Sequence, residues 1–183
     1  EMPFSNLRTF SHCSITNSYA LDCFYSLGFD ECILSSELDY ESAKALLEDY
    51  QNRHNSKANV GFVIYGKLDM MIMRSCPIGV HYGNKQIHCQ RCHQNKYELV
   101  DRIGEKYRVI GDSECNTRIL GNHPTYLLDR MFEIKKMGAE NLWLILTDEH
   151  EEKVDELITH LENNDGEFNR FNLTRGHYNK RPL

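Results

Sequence analysis

Residues 59–73, NVGFVIYGKLDMMIM, decide the reading of the fold. Asn59 to Tyr65 and Met70 to Met73 are short apolar, β-prone runs separated by Gly66-Lys67-Leu68-Asp69, so they read as consecutive strands or as one bent strand. Upstream, Glu31 to Leu34 is a short buried-strand candidate, and Asp39 caps a helix that carries Ala43, Leu46, Leu47 and Tyr50 on one face. Further back, Asn17 to Leu27 sets Ala20, Leu21, Phe24 and Leu27 at helical spacing, and Gly28 stops that helix. Downstream, Pro124 starts a predicted helix through Leu127, Leu128, Met131, Ile134 and Met137, ended by Gly138. A strand over Leu142 to Leu146 and a helix over Glu149 to Leu161, with acidic groups in its first turns, complete the series. This alternation predicts an α/β domain over residues 1–162 with a largely parallel sheet and crossover helices, followed by a polar tail over 163–183.

The alternation is interrupted over residues 74–118. From Arg74 to Gln94 periodicity is lost and Cys, His, Gly, Pro and Asn abound, which describes a loop held by something other than a core. Tyr97 to Asp101 and Lys106 to Ile110 flank Arg102-Ile103-Gly104-Glu105, a connection of hairpin length, and predict a small antiparallel ribbon. Around this ribbon stand Cys76, the Cys89-x-x-Cys92 knuckle and Cys115. Two intervening residues let both sulfurs of a knuckle turn toward one ion, and two further cysteines complete a four-thiolate set from one contiguous region. Four thiolates suit structural zinc or an iron–sulfur cluster, and the spacing does not separate the two; magnesium or calcium would demand oxygen ligands.

Other uses of these cysteines are weaker. Inert burial fits Cys89 and Cys92 poorly, because His88, Gln90, Arg91 and His93 flank them. A redox dithiol lacks its usual strand-to-helix context. His81, His88 or His93 could replace one sulfur, which makes Cys115 the least secure ligand. Cys13, Cys23 and Cys32 lie in or beside periodic segments and read as core packing.

Composition bounds the function. In 183 residues there are 21 Lys and Arg against 27 Asp and Glu, a net charge of −6 that advertises neither a nucleic-acid surface nor an anionic-membrane partner. No apolar run reaches the roughly 20 residues of a membrane span, and the start, Glu1-Met2-Pro3-Phe4, lacks the pattern of a secretory signal. A cytoplasmic location and reduced thiols are the resulting expectation.

Met71 to Gly79, MIMRSCPIG, then the knuckle, Leu99-Val100-Asp101-Arg102-Ile103-Gly104 and Cys115-Asn116 resemble the collagenase-like peptidase family, peptidase family U-32. Asn17-Ser18, Leu27-Gly28 and Leu34-Ser35-Ser36-Glu37-Leu38 resemble the family's strand with its Ser-x-Glu-Leu signature, and Thr174-Arg175-Gly176-His177-Tyr178 is similar to the terminal segment of longer members. The resemblance implies that the chain is the later part of a parallel α/β barrel whose earlier part is a partner supplied by the same protein. It also implies a [4Fe–4S] cluster on Cys76, Cys89, Cys92 and Cys115, with zinc as the alternative or as occupant of aerobic preparations, and hydroxylation of RNA bases or a related aromatic ring. Several hydroxylase members space their cysteines differently, so this ligand set carries over by type and order more than by position.

Under that resemblance Glu37, Arg74, Asp101 and Arg102 are candidate catalytic residues, with Arg175 and His177 as further neighbours, and Tyr65, Tyr82 and Tyr107 are candidates for base stacking. Their plainer readings are a loop contact for Glu37, a hairpin ion pair for Asp101 and Arg102, a tail charge for Arg175 and packing for the tyrosines. Two other functions compete: a zinc-stapled binding module, and the peptidase of the family's name, for which the sequence offers neither H-E-x-x-H nor a nucleophile elbow.

Overall fold

The computed structural model describes residues 6–83, 89, 91–163 and 172–179. The chain divides into two compact units, one of Glu1–Gly66 with Thr125–Leu183 and one of Lys67–Pro124. The first contains α1 (Ser18–Ser26), β1 (Cys32–Ile33), α2 (Tyr40–His54) and β2 (Val60–Gly66), and, after the second unit, β7 (Thr125–Tyr126), α5 (Met131–Met137), β8 (Asn141–Ile145) and α6 (Glu151–Asn163). The second contains β3 (Asp69–Met73), α3 (Pro77–His81), α4 (Arg91–Gln94), β4 (Tyr97–Val100), β5 (Lys106–Gly111) and β6 (Thr117–Leu120).

In the first unit β2 is the central strand, parallel to β1 on one side and to β8 on the other. Every residue of β2 is buried, as expected of a parallel strand flanked on both edges, and this is why its sequence is a continuous apolar run rather than an alternating one. One core cluster joins Leu34, Phe62 and Ile64 of the sheet to Leu21, Ala43, Leu46, Leu47, Ile134 and Leu157 of the helices. The caps follow the sequence: Asn17 Oδ1 accepts the Ala20 N–H at 2.9 Å and Asp39 Oδ1 the Ser42 N–H at 2.7 Å. Gly138 ends α5 in the left-handed region that favours glycine. Cys32 is buried as predicted, whereas Cys23 is exposed on the outer face of α1.

Three expectations change. The segment after Pro124 does not begin as a helix: the Tyr126 N–H donates to Thr174 O at 2.9 Å and the Leu127 N–H to Ile64 O at 2.7 Å. Those donors belong to sheet pairing, so a short 3-10 turn, Leu128–Arg130, precedes α5. The sheets are mixed α/β but do not close, and the described residues contain no closed barrel. The polar tail is anchored over 172–179, where Thr174 bridges Thr125 and Tyr178 is buried against Tyr40 and Phe62, its hydroxyl donating to Glu133 Oε2 at 3.1 Å.

Arg175 completes this anchor, pairing with both carboxylate oxygens of Asp129 and donating to Tyr126 O at 3.1 Å. The Asp129 side chain is 13% exposed, so removing the guanidinium leaves a largely desolvated carboxylate. Arg175→Met should lower the stability to urea by about 2 kcal/mol, and equal unfolding midpoints for the two chains would refute the anchor.

The second unit is a four-stranded antiparallel sheet in the order β3-β6-β5-β4. β2 and β3 are therefore separate strands in different sheets, and β4–β5 is the expected ribbon. β6 has no counterpart in the sequence reading, because four residues, TRIL, are too short for a period. It is held to β3 by Arg118, whose guanidinium meets both oxygens of Asp69 at 2.8 Å.

Candidate metal centre

The four expected cysteines belong to one unit and line one cavity. Cys76 follows the end of β3 and is the N-cap of α3; Pro77 fixes the first helical position, and the Gly79 N–H donates to Cys76 Sγ at 3.2 Å. Cys92 rides on α4, Cys89 lies just before it, and Cys115 sits in the turn between β5 and β6. These four thiols, with Ile78, His93 and the Gly111-Asp112-Ser113 segment, line a cavity of about 20 Å³. All seven cysteines of the chain are thiols rather than disulfides.

Burial pushes the Cys92 thiol up, and charge on Cys76, Cys89 or Cys115 pushes it further. A cation in such a cavity would stabilise the thiolate form of the cysteines that line it. Gly111 leaves the room for this: a Cβ there would stand 2.7 Å from Cys92 Sγ and 3.2 Å from Cys92 Cβ. Soft donors and a backbone cleared of its side chain fit a thiophilic metal. As they stand, no three His, Cys, Asp or Glu side chains among the described residues form a ligand group, so the sulfurs share a cavity without yet forming a coordination sphere.

Cys115 adopts a left-handed backbone, φ 63°, uncommon for a residue with a Cβ. The turn around it is tightly bonded. The Asp112 N–H donates to Asn116 O at 3.0 Å and the Cys115 N–H to Asp112 O at 3.1 Å. Asp112 Oδ1 accepts the main-chain N–H groups of Glu114 and Asn116, both at 2.9 Å, and Oδ2 accepts the Asn116 side-chain amide at 2.9 Å. These bonds, the Asn116 amide first, hold the Asp112 carboxyl below the usual carboxylate range.

The other sequence candidates are dispersed. Asp101 lies in the same unit but is engaged by its own turn, accepting the Ile103 and Glu105 N–H groups at 2.9 Å and the Tyr107 hydroxyl at 3.3 Å. Arg74 and Arg102 are exposed on that unit. Glu37, Arg175 and His177 belong to the other unit; Glu37 and His177 are exposed, and Arg175 is bound to Asp129. His88 lies outside the described residues, His81 is stacked edge-on to Tyr82, and His93 is the histidine that lines the cavity.

Of the three stacking candidates, Tyr65 is 1% exposed and Tyr107 is half-buried on Asp101. Tyr82 is 50% exposed, with the Arg91 guanidinium 4.6 Å from its ring and Tyr97 edge-on at 6.2 Å. Gly111 and Asp112 were not singled out by the sequence, and an isolated Gly-Asp step carries no signal beyond a turn.

A family model described as Peptidase family U32 matches residues 2–160 of the chain. No curated protein and no solved structure matches it. No helix among the described residues is long and apolar enough to cross a membrane.

Proposed function

The chain belongs to peptidase family U32, and we propose on that premise that it is the metal-binding portion of a U32 modification enzyme, with an iron–sulfur cluster held by Cys76, Cys89, Cys92 and Cys115. The observation that carries this reading is the convergence of all four thiols on one cavity against a glycine backbone. When bound, such a cluster supplies electron transfer to a substrate held beside it. Cys76 contributes a sulfur already hydrogen-bonded by a backbone N–H, and Ile78 keeps one wall of the site apolar. The parallel strands β1, β2 and β8 are read as a segment of an α/β barrel completed by a further part of the same protein.

RNA or a related aromatic compound is the proposed substrate class. The unit Lys67–Pro124 carries nine Lys and Arg against six Asp and Glu, a surplus of three positive charges within a chain of net charge −6. The Tyr82–Arg91 pair offers an exposed ring with a cation beside it, suited to stacking an unpaired base. Binding of single-stranded RNA that weakens steeply with salt would support this class.

One observation favours zinc instead. A cavity of about 20 Å³ is the size of one small occupant, whereas a four-iron cluster requires the sulfurs to spread.

Expression without oxygen, followed by absorption spectroscopy and metal and sulfide analysis, decides between them. Visible absorption with iron and acid-labile sulfide in equal amounts supports the cluster. Zinc alone, without sulfide, overturns it in favour of the zinc-stapled module.

A further inference from the structure

We infer that Asp112 is the positioning residue of the fourth sulfur: its carboxylate holds the β5–β6 turn in the one conformation that presents Cys115 to the cavity. The assignment rests on the metal-centre reading and adds to it a residue outside the four cysteines.

Three features of the turn support it. Cys115 is held at φ 63°, a region that L-residues visit as isolated exceptions and that a free surface loop would relax by choosing another conformation. The bonds that prevent relaxation converge on one residue. Asp112 uses its N–H, its C=O and both side-chain oxygens on residues 114 to 116, and so brackets Cys115 on either side. Asp112 is exposed and stands at the rim of the cavity, so this network lies at the surface beside the site and contributes little to the sheet's core. Its product is the placement of the Cys115 side chain beside Cys76, Cys89 and Cys92.

The direction of the turn follows from its neighbour. Gly111 ends β5 against Cys92 Sγ, so the chain leaves the strand already touching the site. Four residues later it must return with a sulfur pointing the same way. A tight turn closed by an Asx side chain does this without a longer loop, and the left-handed residue supplies the reversal. Asn would keep the acceptor oxygen that bonds both main-chain N–H groups; Ala would lose every side-chain bond.

The test titrates cobalt(II) into the full 183-residue chain, reduced and without oxygen, and reads affinity together with the sulfur-to-cobalt charge-transfer band, whose intensity counts coordinated thiolates. Cys115→Ser supplies the three-sulfur reference spectrum. Asp112→Ala is expected to bind cobalt tenfold or more weakly, in the range known for residues that orient metal ligands, and to give the three-sulfur band. Asp112→Asn is expected to return the four-sulfur band and most of the affinity, which a merely destabilising substitution at an exposed turn would not do. Circular dichroism of all variants confirms an unchanged fold. A full four-sulfur band in Asp112→Ala, whatever its affinity, overturns the assignment and leaves the metal-centre reading standing. The same holds if Asp112→Asn matches Asp112→Ala. A parent chain that shows no sulfur-to-cobalt band overturns both.

Discussion

A Gly111→Ala chain made without oxygen will fold as the parent does and fail to hold the metal proposed for the cysteine site. The added methyl would stand 2.7 Å from Cys92 Sγ, closer than real side chains approach, and 3.2 Å from Cys92 Cβ; the sulfur is the end of a side chain that can rotate away, and the Cβ contact asks α4 for a shift of a few tenths of an ångström. Gly111 is not among the residues at positive φ, so alanine meets no backbone penalty in β5. The displaced sulfur is the one carried by α4, and turning it out of the cavity leaves three thiols that no longer enclose an ion. Metal affinity should fall by roughly 100-fold, the upper end of effects on the groups that shape a ligand shell. Metal per chain after gel filtration, read beside a thermal unfolding curve, separates the site effect from the fold. Full metal content in Gly111→Ala would show that Cys92 is not a ligand.

Gly66→Ala should have the opposite character, leaving the cysteine site's own residues untouched and unfolding the first unit. Gly66 ends β2 at φ 142°, in the region L side chains rarely adopt, and pairs with Ile145 of β8. A Cβ there would meet Ile145 O at 2.5 Å and Ile145 Cβ at 2.7 Å. The first of these is backbone in the adjacent parallel strand, and it cannot step aside as a cysteine sulfur can. Backbone strain of about 1–3 kcal/mol adds to an overpacking cost of similar size, so a loss of roughly 3 kcal/mol or more in urea unfolding is expected. A change below about 1 kcal/mol would mean that β2 and β8 do not pair at that register.

These substitutions differ in kind because the two units differ in what holds them. The first has a continuous core of strand and helix residues, and apart from β7 and the start of α5 its elements are the ones the sequence announces. α1, α2 and α6 show apolar spacing over two to four turns; Asn17 and Asp39 mark the starts of α1 and α2 with capping side chains, and Gly138 marks the end of α5 with a left-handed conformation. The second unit has short strands with many exposed positions, such as Met70, Met71 and Ile72 on β3, and its hydrophobic pattern is weak. There the legible features were turn chemistry and cysteines. β6 and β7 were missed because four and two residues cannot express a period; β7 pairs with the distant β2, and β6, though it pairs with its neighbour β5, is also held by the distant β3.

The tail shows the same limit from another side. Thr174-Arg175-Gly176-His177-Tyr178 looks polar and loose, yet Arg175 finds Asp129 and Tyr178 finds Tyr40, Phe62 and Glu133. Polar composition predicts exposure only when no partner of the right shape is waiting, and partners 45 and 46 residues away leave no local trace.

By itself the sequence determined α1 and α2 with their N-caps, α6, the central apolar strand and the ribbon, and it singled out four cysteines as candidate soft donors, since each depends on a local period, a local backbone preference or the chemistry of one side chain; α3 and α4, short helices within the segment that reads as a loop, and the true start of α5 were not legible. The tertiary structure alone decided that Gly66 and Gly111 are places without room for a methyl group, that Asp112 brackets Cys115, and that Cys76, Cys89, Cys92 and Cys115 face one cavity. Those properties belong to distances between segments, and chain folding, through the pairing of β3, β6, β5 and β4, sets such distances where no single segment encodes them.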